Sequence, residues 1–195
     1  NYDIYIKHNE FGKEDPILNA MDYGIPQNRQ RIFVVGFRKN IKLKKEFKFP
    51  KKIKLTTTIK DYLDENVDAK YYLGQKGFDF VTTHPSRAQV GCDVMRCQKA
   101  NQQFNWNGDF VFEDYEKIKS NKEILDKAYV GMWNNKKGVV RKITPRECLR
   151  LMGFNDDFII SINDQNMYRQ SGNSIVVNVL KALVEEIIAT GVWEE

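Results

Sequence analysis

"YGIPQNRQRIFVVGF", residues 23–37, begins on turn formers and ends on an apolar run. Gly24 and Pro26 mark the turn, and RIFVVGF reads as a strand of the core. Between them Gln27, Arg29 and Arg31 stand at every second position. In an extended chain these three share one face while Asn28 and Gln30 take the other. Two cations and an amide are thus aligned at the mouth of a buried strand, an arrangement that an exposed strand end explains as well as a binding site does. The upstream YDIYIK, residues 2–7, is a second strand, joined to the first through DPIL. The separation is too short for a comfortable helical crossover, so a largely antiparallel pairing is expected.

A chain of 195 residues with 42% hydrophobic content can bury a sizeable core, as one domain or one and a half. No apolar stretch approaches the roughly 20 residues that span a bilayer, and NYDIYIKHNEFGKED lacks the apolar segment of a signal peptide. A cytoplasmic setting without membrane contact is expected. The chain starts on Asn rather than Met and opens directly on a strand, as a piece of a longer chain would. Cys92, Cys97 and Cys148 are odd in number and show no C-x-x-C pattern, so they read as reduced thiols with no metal site.

Charge is uneven. Residues 38–54 hold nine Lys/Arg against Glu46 alone, a local net of +8 in a chain of net +5. Such a run is either a solvated face or a phosphate-binding surface, and charge alone does not separate the two. After Pro50 the texture changes. Short helical patterns such as TIKDYLDE alternate with Gly-, Asn- and aromatic-rich stretches to about residue 140, as in a small, irregular, β-containing domain.

"ITPRECLRLMGF", residues 143–154, is more legible. Thr144 and Glu147 have the spacing of a capping box, Pro145 stands at the first helical position and Gly153 can stop the helix. Leu149 and Met152 face the core. Arg146 and Arg150 share another face, as surface ion-pair partners, with Glu147 as a candidate acid, or as ties to a second domain or a phosphate. In "YRQSGNSIVVNVLKALVEEIIATG", residues 168–191, a helix is expected over 174–190, with an apolar stripe too wide for a surface helix. Gly172, Asn173 and Ser174 then open that helix, where N-capping or anion binding would use them.

YGIPQNRQRIFVVGFR, RKITPRECLRLMGF and YRQSGNSIVVNVL, in this order, resemble the eighth, ninth and tenth motifs of the cytosine-5 DNA methyltransferases of bacterial restriction–modification type. The stretch between the first two has the length of that family's target recognition domain. The resemblance implies an α/β fold: the terminal portion of a Rossmann-like sheet, an antiparallel strand pair with a C-terminal helix, and an inserted recognition domain. It divides the chain into catalytic-domain strands at 1–55, a recognition domain at 56–160 that includes the ninth-motif helix, and a return to the catalytic domain at 161–195. It also implies a reaction, transfer of a methyl group from S-adenosylmethionine to C5 of a cytosine flipped out of duplex DNA.

By the same resemblance, Arg31 is directed at the flipped cytosine, where a guanidinium stabilises charge developing at O2. Arg29 orients the nucleophile loop or holds a flanking phosphate, and Gln27 supports that surface. Asn173 and Ser174 fall to the S-adenosylmethionine pocket, and Arg146 with Glu147 brace the recognition domain. The amide-rich "CQKANQQFNWNGDF", residues 97–110, is the recognition candidate, with Asn101, Gln102, Gln103 and Asn105 around aromatics and Arg87, Arg96 and Lys99 as further base or phosphate contacts. In the alternative, the amides satisfy loop backbones and the aromatics form a small core.

The family's Pro-Cys nucleophile and its Gly-rich cofactor turn do not occur in these 195 residues, and the one Glu-Asn pair, Glu65-Asn66, followed by Val67, sits in a charged segment well after the eighth motif, not in the order in which the family carries its acid. The expected partner is therefore the N-terminal catalytic part, on the same chain or as a separate subunit. A cognate restriction endonuclease is a further possible partner. Two other readings stay open: a DNA-recognition subunit without chemistry of its own, and a related enzyme acting on tRNA.

Overall fold

The computed structural model describes residues 2–6, 17–101 and 103–193. Strand β1 (Tyr2–Ile6) is followed by β2 (Ile17–Asn19), β3 (Gln27–Asn28), β4 (Gln30–Ile32) and β5 (Val34–Arg38). β1 and β5 pair antiparallel from Tyr2↔Arg38 to Ile6↔Val34, as expected, and β2 pairs antiparallel with β4. The period-2 pattern of β5 turns Val35 and Phe37 inward and leaves Val34 60% exposed.

Val35 and Phe37 join Leu18, Tyr23, Ile25 and Met152 in one core that the last helix closes. Residues 39–58, which form neither helix nor strand, run across it and carry eight of the nine basic residues of the 38–54 run. Phe47, at 3% exposure, anchors this segment, and Lys44 and Lys45 donate their backbone N–H groups to Thr190 O. Its cations stay at the surface; Lys52 pairs with Asp22 at 3.0 Å.

The central part contains α1 (Gln75–Thr83), β6 (Ala88–Val90), β7 (Met95–Arg96), β8 (Gly108–Asp114), α2 (Tyr115–Ile118), α3 (Lys122–Lys127), β9 (Gly131–Trp133) and β10 (Lys136–Lys142). Four of these strands form a sheet in the order β6-β8-β10-β9. Asn134 and Asn135, both at positive φ, make the two-residue turn from β9 to β10. Successive residues of β10 face opposite cores. Val140 packs with Phe78, Val81 and Phe110, and Val139 with Tyr72, Ile118 and Ile124, so the sheet is covered on both sides.

The chain then forms α4 (Pro145–Arg150), α5 (Asp164–Asn173) and α6 (Val177–Ile188). The capping box at α4 is complete: Thr144 Oγ1 accepts from Glu147 N at 3.2 Å and Glu147 Oε2 from Thr144 N at 2.7 Å. Gly153 follows it at φ +82, where a Cβ would also stand 2.4 Å from Asn178 Oδ1.

Two expectations for this region need correction. The helix expected over 174–190 starts only at Val177, and a separate helix, α5, precedes it and ends at Asn173, so Gly172 and Asn173 end α5 and do not open α6. Tertiary contacts set the start of α6, because Val177 N donates to Met152 O and Asn178 Nδ2 to Tyr23 O. Nor does Glu147 pair with Arg146 or Arg150. It is fully buried and forms a two-pronged pair with Arg141, both N···O distances being 2.9 Å. Arg146 instead donates to Phe158 O, and Arg150 links Asp64 to Asp156.

Candidate functional site

β3 lies parallel to β7, with Gln27 opposite Met95 and Asn28 opposite Arg96. One step further, this register brings Arg29 beside Cys97. Gln27 is fully buried and uses both ends of its amide: Nε2 donates to Leu151 O at 2.6 Å, and Oε1 accepts from Gln98 N at 3.0 Å. Arg29, at 3% exposure, holds three segments at once. Its Nη1 donates to Gln98 O at 2.7 Å, and its Nη2 to Gly172 O at 2.9 Å and Ser174 O at 2.7 Å. Burial lowers the Arg29 pKa, with the Cys97 sulfur opposing this and the Arg31 charge adding to it. A guanidinium stays charged through such shifts. With its Nη groups committed to carbonyls, Arg29 fastens the segments around it.

Arg31 differs. It is exposed, as an arginine that meets a ligand must be. Its Nη1 donates to Gln30 O at 2.6 Å and its Nη2 to Cys97 Sγ at 3.5 Å. The alternation read in the sequence therefore holds at the sulfur, which both arginines reach, but burial divides the three residues into two supports and one presented cation.

Gly172 belongs to the same junction. A Cβ there would lie 2.3 Å from the carbonyl carbon and oxygen of Lys99, so only glycine lets residues 99–100 pass over the end of α5. Arg29 ties down the carbonyls on either side of Asn173, whose side chain is exposed. Ser174 Oγ donates to Ile175 O at 3.2 Å.

The recognition candidates do not stay together. Arg87, Lys99, Asn101 and Asn105 are exposed. Arg87 and Asn105 border a hollow of about 460 Å3 with Phe104, Trp106 and Lys142. Asn101 borders a second, of about 430 Å3, with Phe104, Gln165, Asn166 and Arg169. Gln103 is turned into the domain, 2% exposed at φ +72, and donates its amide to Asp109 O at 2.8 Å. Arg96, whose side chain remains 39% exposed, bonds Gly108 O at 3.1 Å and the buried Asp109 carboxylate at 3.4 Å. Both serve the alternative reading, in which polar side chains satisfy loop backbones. Gln102 lies outside the described residues.

A buried ion network holds the central sheet to α4. Arg141, fully buried, bonds Glu147 through both terminal nitrogens and Glu113 through Nε at 2.8 Å, and Tyr72 donates to Glu113. Burial works against the Arg141 charge, but the Glu147 and Glu113 carboxylates outweigh it and raise the pKa.

Residues 6–189 match the family of C-5 cytosine-specific DNA methylases. The chain belongs to that family. It is 35% identical over 191 residues to the type II methyltransferase M.SsoII of Shigella sonnei, covering 97% of this chain and 45% of that protein. Identity to M.Bsp6I of Bacillus sp. (strain RFL6) is 36% over 181 residues, 88% of this chain and 53% of that protein. The chain thus spans about half the length of these relatives. Among solved structures, the Entamoeba histolytica methyltransferase EhMeth superposes with a TM-score of 0.65 at 21% identity, covering 96% of this chain and 54% of that one. The mixed α/β arrangement with its C-terminal helix is accordingly the methylase fold.

For a C-5 methylase the site contains residues that sequence reasoning missed. Cys97 and Gln98 are brought to the arginines by strand pairing across 68 residues, which no local pattern announces. Lys142, Gln165, Asn166 and Arg169 join the hollows around Phe104 for the same reason. Among the described residues no group of three His, Cys, Asp or Glu could hold a metal ion, and no helix is long and apolar enough to cross a membrane.

Proposed function

We propose that this chain is the target-recognising, arginine-presenting portion of a DNA (cytosine-5)-methyltransferase that transfers a methyl group from S-adenosylmethionine to C5 of a flipped cytosine in duplex DNA. One observation carries the reading: all three motifs converge around residues 27–31. Gln27 bonds Leu151 beside the ninth-motif helix, Arg29 bonds Gly172 and Ser174 of the tenth motif, and both bond Gln98 at the head of the recognition segment. This assembly leaves Arg31 exposed, fixed on one side and free to meet a base. A base must leave the stack to be reached, and attack at C6 builds negative charge that a placed guanidinium stabilises.

Residues 1–55 and 161–195 form the catalytic-domain part in this reading, and 56–160 the recognition domain. Asn173 and Ser174 suit the methionine end of S-adenosylmethionine, because an amide and a hydroxyl stand beside the exposed Ile175 and can bond its polar groups. The cofactor supplies the methyl group when bound. Arg87, Lys99, Asn101 and Asn105 meet the DNA, joined by Lys142 and Arg169, while Gln103 shapes the loop from within and the half-exposed Arg96 braces its edge through Asp109.

Nucleophile, acid and the main cofactor turn belong to the N-terminal catalytic part. Two apolar surfaces support its docking here: Tyr2, Ile4 and Val34 on the strand pair, and Leu180, Val184 and Ile188 on α6, each between 37% and 62% exposed. The type II naming of the relatives supports a restriction–modification setting with a cognate endonuclease. The test offers the complete enzyme duplex DNA and tRNA with labelled cofactor. Label entering duplex cytosines in preference to tRNA is expected. Preferential labelling of tRNA overturns the reading.

A further inference from the structure

We infer that Cys97 is a positioning residue for Arg31: its sulfur is the fixed point outside strand β4 that sets where the arginine's guanidinium stands before a base arrives. The inference rests on the reading of Arg31 given above and adds a residue to it. Arg31 is exposed, and among the described residues its guanidinium meets two acceptors, Gln30 O on its own strand and Cys97 Sγ at 3.5 Å. A long side chain held only by its neighbour's carbonyl would keep much of its rotamer freedom and lose it when charge develops. A second, non-local acceptor removes that freedom beforehand.

The sulfur is itself immobilised. Cys97 follows β7, which is paired to β3, and Cys97 Sγ also accepts from the buried Arg29 Nη1 at 3.5 Å and donates to Gln98 O at 3.6 Å. Gln98 O in turn accepts from Arg29 at 2.7 Å. The exposed arginine is therefore registered, through one sulfur, against the buried arginine that clamps the tenth-motif carbonyls. Half-burial of the thiol suits this role, with one side on the protein and one on the presented cation.

The test uses the complete enzyme and compares single-turnover methylation at saturating duplex with duplex affinity. Cys97→Ala is expected to slow methylation about tenfold, less than removal of the guanidinium, while affinity stays within about twofold, because placement rather than binding is lost. Cys97→Ser keeps an acceptor and should recover most of the rate, whereas Cys97→Val, which keeps bulk without an acceptor, should not. In an Arg31→Ala background, Cys97→Ala should cause no further loss, since the two act as one unit. Three outcomes overturn the inference: a parental rate for Cys97→Ala, rescue by Val instead of Ser, or additive losses in the double variant. If Arg31→Ala itself keeps the parental rate, the functional reading of Arg31 fails first, and the two failures are distinguishable.

Discussion

Arg31→Ala is expected to slow methyl transfer at saturating DNA by about a hundredfold or more, which is the usual cost of one preorganised donor aimed at developing charge. Affinity for the duplex should fall far less, because the interaction strengthens only as the base is attacked. The structure gives this contrast its basis. Arg31 is the exposed member of the Gln27, Arg29, Arg31 series, and its placement is established before any ligand arrives. Single-turnover kinetics measured alongside equilibrium binding separate the two effects. Equal losses in rate and affinity would make Arg31 an ordinary phosphate contact.

Glu147→Ala is expected to destabilise the fold by about 3–5 kcal/mol, because it strips a desolvated charge of its two-pronged partner. Arg141 would keep only Glu113 as a counter-charge, and the backbone N–H groups of Thr144 and Asp64 would lose their carboxylate acceptor. Denaturant unfolding of the variant against the parent measures the loss, and a change below about 1 kcal/mol would show that the network is not structural. The same network predicts weakening in acid. Burial alone raises the Glu113 carboxyl, but hydrogen bonds from Arg141 and Tyr72 more than offset this and hold it below the usual glutamate value. Its contribution is present above the unfolded-state value of about 4.3 and is lost as pH falls through the folded value.

The parts of this molecule that could be read in its sequence are those whose causes are local. The α4 capping box needs only Thr144, Pro145 and Glu147, and all three act as their spacing says. RIFVVGF is legible as strand but not as the one buried strand expected: it divides between β4 and β5, with Val35 and Phe37 buried and Ile32 and Val34 exposed. The late start of α6 has no local signature, because SIVV belongs to the apolar helical pattern expected from 174, and Met152 and Tyr23 bond the first residues of a helix that begins only at Val177. Pairing of Glu147 with Arg141, not with the nearer arginines of α4, follows from β10 entering the core. The largest divergence is in the recognition segment, where composition makes Gln103 and Arg96 equivalent to Asn101 and Arg87. Only the chain path decides their surroundings: Gln103, in a left-handed turn over Asp109, is buried, and Arg96 is half-exposed but tied to the Asp109 carboxylate.

That division of labour, recognition and charge stabilisation here with nucleophile and acid elsewhere, is tested most directly by following labelled methyl groups from S-adenosylmethionine into duplex DNA. The assay uses this chain alone and then this chain together with an N-terminal catalytic part carrying the Pro-Cys and Glu-Asn motifs. No cysteine in the 195 residues follows a proline, so the account predicts no transfer by the chain alone and transfer when the two parts are combined. Cytosine methylation by the isolated chain would contradict it.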